Sequence, residues 1–269
     1  MGKRSGVAKK ILECQPKAHP THFHAHSLSL SVKNATSHCK ILSDTMDNTN
    51  EIVQLIKFSP KRDTILGDIK ANIYYEGDEG EDIAGLSKFS ATRWTVRAIC
   101  FQRVLENYRF LLKLWDDCLE MRLVPEVRGR VLGCQAQMKS FNFFFGLHLG
   151  QLIFRHTDNL SKTLQNASMS AVTGRNTADL TAKALKRMRD DDSFKAFYET
   201  VLLKKQSFLD VSDPELPRKR RAPARLEVGQ GAPSFPQTSE ELYRRVYFEA
   251  LDLIIASITE RFNQPSFKA

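Results

Sequence analysis

Between Thr92 and Met121, apolar side chains return every three or four residues: Trp94, Ala98, Phe101, Leu105, Tyr108, Leu112, Trp115 and Leu119. Arg97, Arg103, Glu106, Arg109, Lys113 and Asp116 fill the other faces. That period belongs to a helix buried along one stripe, whereas a half-buried strand alternates with period two. The spacing predicts one long amphipathic helix and commits the chain to packed helices. Further helices are expected over 126–139, 141–165, 170–189 and 193–205. Ser59-Pro60 marks another, running through 61–73, with serine as N-cap and proline at the first helical position, where its missing N–H costs nothing. Gly146 and Gly150 stand one turn apart in the most apolar of these stretches, a spacing suited to close helix approach or a mild kink. A last helix is expected from 238 or 239 to Phe262, with Leu242, Val246, Leu253, Ile254 and Ile258 as its buried stripe.

The ends and joins read differently. Residues 5–14 suggest a short helix stopped by Pro16 and Pro20. Thr21 to His26 reads as strand-like and passes into a helix, because Leu28, Val32, Ala35, Cys39, Leu42 and Met46 recur at helical intervals. Glu76 to Asp82 mixes acids with glycine and is expected to be a solvated loop, and 209–238, rich in proline and basic residues, a connector.

Composition limits the partners. With 269 residues, 42% of them hydrophobic, the chain can bury a sizeable core. A net charge of +9 favours polyanions, since lysine and arginine release counterions when they neutralise phosphates. Five cysteines at irregular spacing imply thiols in a reducing compartment and no disulfide framework. Asn142, His148 and Gln151 interrupt the most apolar run, Phe141 to Phe154, so no membrane partner is expected.

No active site assembles from the residues. His19, His22, His24 and His26 crowd together, but a row on one strand is flat where zinc wants a tetrahedral wrap, so no metal is predicted. Asp44 with Asp47, Asp116 with Asp117, and Asp190 to Asp192 lie along helices or in a surface run, whereas two-metal chemistry needs carboxylates converging from separate elements. No catalytic residue, cofactor or small-molecule substrate is therefore expected. Lys183, Lys186, Arg187 and Arg189 face the acids at 190–192, which suggests local charge balance. Two constellations remain. Arg93-Trp94, followed by Arg97, offers an indole face for an unstacked base beside cations for phosphate; Trp94 equally suits the buried stripe of its own helix. Arg218, Lys219, Arg220 and Arg221 lie between prolines and read as a nuclear import signal or as a solvated, self-repelling linker.

The block from Thr21 to Val32, Thr92-Arg93-Trp94, Gly133 to Met138, Asp158 to Gln165 and Leu216 to Pro223 together resemble the hAT superfamily of DNA transposases. Within it the chain looks most like host-encoded MYM-type zinc-finger proteins derived from such transposases. The resemblance implies a mainly α chain in which a helical insertion domain is attached to a partial RNase H-like α/β core. Its segments would be the core and hand-over helix at 1–58, the insertion at 59–208, the basic connector at 209–237 and a terminal helix at 238–269. The family's Cys-x-x-His block is architectural; here Phe23 takes the cysteine position while His26 remains. By the same resemblance the tryptophan of the Arg-Trp motif stacks on a displaced base, and the catalytic carboxylates fall upstream of Gly6 and downstream of Ala269. The expectation is a catalytically incomplete, nuclear, transposase-like fragment that binds DNA or protein. Its alternatives are a domesticated DNA-binding or transcription-related module, and a protein-interaction module, self-association included, presenting Phe143, Phe144 or the last helix as an apolar face.

Overall fold

The most apolar stretch of the chain becomes the axis of the molecule. In the computed structural model, which describes residues 7–15, 24–75, 84–87, 97–165, 170–217 and 235–262, helix α8 (Phe141–Leu164) is buried nearly all round in its first half. A helix apolar on every side has to be surrounded. Around it pack α2 (His24–His38), α3 (Lys40–Lys57), α5 (Arg97–Glu106), α7 (Pro125–Met138), α9 (Ala171–Arg187) and α10 (Asp191–Lys205). The remaining helices are α1 (Val7–Cys14), α4 (Pro60–Tyr75), α6 (Tyr108–Glu120) and α11 (Ser239–Phe262). Helix α4 lies on α3 and α6, while α11 closes over α2 and α9. Among the described residues every regular element is helical and no strand occurs. One buried cluster runs from Leu28 to Phe262. No described helix is long and apolar enough to cross a membrane.

The glycine pair of α8 sets the closest contacts. A Cβ on Gly146 would stand 2.0 Å from the Thr45 hydroxyl of α3, and one on Gly150 would stand 2.2 Å from the Phe101 ring of α5. Both neighbours use the space that a side chain would fill, as the spacing suggested.

Several boundaries differ from expectation. The stretch expected as strand is helical from His24 onward, because Leu28, Val32 and Ala35 seal α2 against its neighbours and the helical period extends upstream. Positions 21–23, Phe23 among them, lie outside the described residues, as does the acidic loop at 76–82. The helix expected to run on past Cys39 breaks there, where φ is −94° and ψ 103°. Just before the break the Thr36 hydroxyl donates to the Val32 and Lys33 carbonyls, and Ser37 to that of Asn34; such bonds compete with the helix ladder. The helix predicted through Met121 is likewise divided at Asn107, which is fully buried. Its amide donates to the Arg103 carbonyl at 2.7 Å and to the Ala84 carbonyl at 3.1 Å, tying the 84–87 segment to the α5–α6 joint.

The stripe of α11 is also displaced. Tyr243, Tyr247, Ala250, Leu251, Ile254, Ile258 and Phe262 are buried, whereas Leu242, Val246 and Leu253 are half-buried. Two tyrosines decide the phase. Their rings join an aromatic cluster with Phe141, Phe145, Phe194 and Phe197, and their hydroxyls donate to Asn142 Oδ1 at 2.8 Å and the Met188 carbonyl at 3.0 Å. A large ring with a satisfied hydroxyl outcompetes leucine for such a site. Phe143 and Phe144 are buried as well, so neither they nor the apolar stripe of α11 forms an open face.

Cap chemistry follows the residues. Ser59 accepts from the Arg62 N–H at 3.4 Å, Ser170 from that of Thr173 at 3.1 Å, and Asp190 from that of Ser193 at 2.9 Å. Ser212, at the start of the connector, accepts from the Phe141 N–H at 3.2 Å while its own N–H donates to the Lys139 carbonyl at 2.8 Å. The beginning of the connector is thus pinned to the entry of α8. Cys39, Cys100, Cys118 and Cys134 are buried free thiols, with burial pushing Cys39 up to about 11 and Cys100 and Cys134 up to about 12; they act as small core residues.

Candidate nucleic-acid interface

Helix α5 lies against α8 because Phe101 fills the Gly150 gap and meets Phe154 edge-on, ring centroids 5.5 Å apart. That contact draws the first turn of α5 inward. Arg97, which the sequence suggested as a DNA contact, is consequently only 3% exposed. Its Nη1 donates to Met46 Sδ at 3.6 Å and its guanidinium lies 5.7 Å from the centre of the Phe154 ring. Burial pushes the group down to about 9 while the Asp158 charge pulls the other way, so it stays protonated at neutral pH. Arg97 belongs to the interior, and its guanidinium is directed to sulfur and an aromatic face rather than to a phosphate. Arg93 and Trp94, which precede α5 by four and three residues, lie outside the described residues.

Asp158 sits at the same junction from the α8 side, 5% exposed. Its Oδ2 accepts the Ala98 N–H at 3.0 Å, so a carboxylate sixty positions along the chain caps α5. Burial pushes this carboxyl up to about 6, against the Ala98 N–H and the charges of Arg97 and Lys162. The sequence signals it as an acid in a helical run and as the head of the Asp158 to Gln165 block, with nothing to name its partner.

Outside this pair the α5–α8 boundary opens into a cleft of about 340 Å³. Gln102 stands on one wall and Gln151, Arg155, Asn159 and Lys162 on the other, with Asp158 beneath. Arg155 and Lys162 are exposed cations. A second hollow of about 430 Å³ adjoins the first at Gln102 and Gln151 and continues past Glu106 and His148 to Lys204 and Phe208. His148 is 8% exposed and packs edge-on against Phe144, with centroids 4.8 Å apart. Desolvation, helped by Lys204, pushes it down to about 3, so it is neutral, and its buried Nε2 has no hydrogen-bond partner. The two hollows share Gln102 and Gln151, and each carries cations, Arg155 and Lys162 in the first and Lys204 in the second.

A further hollow, about 670 Å³, lies elsewhere among the described residues, between α3, the start of α8 and α11, with Leu216 and Pro217 on its wall. Arg218, Lys219, Arg220 and Arg221 follow directly but lie outside the described residues. The backbone is helical at His24 and His26, so those two do not form the extended row that the sequence suggested; His19 and His22 lie outside the described residues. Among the described residues no three His, Cys, Asp or Glu side chains gather at a metal-sized site.

Several of the acids considered for catalysis are engaged structurally. Asp116 accepts from Gln135 at 2.6 Å, and Asp117 pairs with Lys113 at 2.8 Å. The acids at 190–192 do not balance the basic set of α9 as expected: Asp190 caps α10, Asp191 pairs with Arg244 of α11 at 2.6 Å, and Arg189 grips Asp252 of α11. No family model matches the sequence, and no solved structure matches the chain.

Proposed function

We propose that this chain is a nucleic-acid-binding helical module of hAT transposase-like descent, nuclear, with no catalytic centre of its own. One observation carries the reading: Arg155 and Lys162 form the cationic mouth of a groove whose other wall, α5, is led in by Arg93-Trp94. Lys162 falls within the Asp158 to Gln165 block that contributes to the resemblance. The excess of nine positive charges supports a polyanionic partner. On this reading the basic run at 218–221 serves import, and α2 is where an RNase H-like core would join. Asp190 caps α10 and Asp117 and Asp191 are held in ion pairs, and the resemblance sets the catalytic carboxylates outside Gly6 to Ala269.

The test is fluorescence anisotropy with labelled duplex across a salt series. Affinity is expected to fall steeply with salt. Replacing Arg155→Glu and Lys162→Glu together should weaken binding at least about tenfold and flatten the log–log salt slope by about two, one per phosphate contact. Unchanged affinity and slope in that variant would refute the reading, and magnesium-dependent nicking of DNA by the chain would refute its non-catalytic part.

A further inference from the structure

We propose that Ser207 is a phosphorylation site for a base-directed serine kinase, and that the phosphate takes Lys204 out of the nucleic-acid interface. The regulatory half rests on the nucleic-acid reading above; the site itself stands on the residues around the serine.

Ser207 follows the end of α10, where 206–210 turn between two fixed points. Behind it the Ser207 N–H donates to the Lys204 carbonyl at 3.2 Å, and ahead of it the Ser212 N–H donates to the Lys139 carbonyl at 2.8 Å. Between them the half-buried Phe208 ring holds the segment to Tyr108 and Phe144, with centroids 5.2 and 5.6 Å away. The rest of the turn projects, with Ser207 exposed and Leu209 95% exposed. A kinase takes its substrate segment in an extended form, and a turn held by one ring opens more readily than the body of a packed helix. The hydroxyl is also idle. Ser59, Ser170 and Ser212 each accept a backbone N–H, whereas that of Ser207 makes no hydrogen bond among the described residues.

Charge supplies the specificity. Lys204 and Lys205 stand three and two positions before Ser207, and Phe208 follows it. Two cations upstream of the hydroxyl suit a kinase whose substrate groove is acidic. Lys204 is exposed, and Lys205 pairs at 2.5 Å with Asp213, a solvent-facing partner that is readily exchanged for a kinase carboxylate. In the transfer the Ser207 Oγ attacks the γ-phosphorus of Mg-ATP, and the bond from that phosphorus to the β,γ-bridging oxygen breaks to release ADP. The hydroxyl proton passes to the catalytic aspartate of the kinase.

The product alters the groove. A phosphoserine carries a charge of about −2 at neutral pH. Ser207, Lys204 and Glu106 line the same hollow of about 430 Å³, so the phosphate is repelled by the carboxylate and drawn to the ammonium. Lys204 is thereby neutralised as a contact for nucleic acid. Gln151, on the wall of that hollow, is one helical turn from Arg155, roughly 6 Å along the axis. The new charge therefore also faces the Arg155 and Lys162 mouth, through a field that salt screens over about 8 Å.

The test incubates the whole chain with the catalytic subunit of cAMP-dependent protein kinase and Mg-ATP, locates the phosphate by mass spectrometry, and repeats the duplex titrations. Phosphate is expected at Ser207 and absent from that position in Ser207→Ala, and Lys204→Ala should slow its incorporation several-fold. The phosphorylated chain should bind duplex about tenfold less tightly, with a log–log salt slope smaller by about one, the contact that Lys204 no longer makes. Ser207→Ala, treated in the same way, should bind as the untreated native chain does. A folded chain that takes no phosphate at Ser207 overturns the site. Phosphate at Ser207 with affinity and slope unchanged overturns the regulation, while weakened binding by the Arg155→Glu, Lys162→Glu variant still upholds the interface. If the untreated chain binds no duplex, the reading above falls and the regulation with it, and the mass alone decides the site.

Discussion

Gly150→Ala sets two measurable terms against each other. Alanine is the better helix former by about 1 kcal/mol, so in an open helix the exchange stabilises. At position 150 the added methyl would stand 2.2 Å from one Phe101 ring carbon and 2.6 Å from the next, where ordinary contact begins at 3.4 Å. The ring would have to retreat by more than an ångström. It has nowhere to go, because Phe101 is fully buried and already meets Phe154 edge-on. Forcing α5 away instead would open the Arg97–Asp158 junction at its first turn. Overpacking of this kind costs about 1–3 kcal/mol and sometimes more, and a buried ring with no room to retreat puts it toward the upper end, for a net loss of up to about 2 kcal/mol. The control is Gly133→Ala on exposed α7, where a Cβ meets nothing within 4 Å and a gain approaching 1 kcal/mol is expected. Urea unfolding of both variants measures the contrast. Pairing Gly150→Ala with Phe101→Leu should return part of the loss as a coupling energy, since the two share one contact. If Gly150→Ala gains as much as Gly133→Ala, the close approach of α5 and α8 is wrong, and the groove built on it with it.

Two pH dependences follow from the buried ionisable groups. Asp158 titrates near 6 when folded against an ordinary 3.8, so its contribution is fully present below 3.8 and is lost as pH rises through 6, roughly 3 kcal/mol in all. Asp158→Asn keeps an acceptor for the Ala98 N–H without that ionisation, so its advantage over the native chain should grow from near zero at pH 4 to about that size at pH 7. A gap that does not change with pH refutes the assignment. His148, held near 3 against 6.5, acts in the opposite sense: its contribution is present above 6.5 and lost as pH falls toward 3, up to about 5 kcal/mol. The stability difference between His148→Gln and the native chain, followed by denaturant unfolding from pH 7 to pH 4, should shift in favour of the variant.

What was legible in the chain follows from range. The expected helices at 126–139, 141–165 and 193–205 stand at Pro125–Met138, Phe141–Leu164 and Asp191–Lys205, because long periodic stretches with Pro125, Ser140 or Asp190 at their heads carry their own boundaries. The glycine spacing of α8 was equally local and equally readable. Breaks at Cys39 and Asn107 were not, since each preserves the apolar period on both sides and interrupts it for one residue through side-chain bonds to distant or competing backbone. The phase of α11 turned on Tyr243, whose ring meets Phe141 and Phe145 about a hundred positions away, and Tyr247, whose ring meets Phe194 and Phe197 about fifty away.

The candidate site shows the same divide more sharply. Periodicity put Ala98 and Phe101 on the buried stripe and Arg97 on another face, yet Arg97 is buried as well, because Gly150 admits the Phe101 ring and draws the first turn of α5 inward. Asp158 earns its role from one N–H sixty residues upstream, a pairing that leaves no trace in spacing. Gln102, Gln151, Arg155, Lys204 and Phe208 are ordinary surface choices on three separate segments, and only the packing of α5 and α10 on α8 brings them to one groove. Charge was readable as a total and not as a place: nine excess positive charges predict a polyanion somewhere. The groove gives that prediction a location, with Arg155 and Lys162 at one hollow and Lys204 at the next. The salt slope lost on replacing Arg155 and Lys162 is therefore the quantity that separates contact at this groove from a diffuse basic surface.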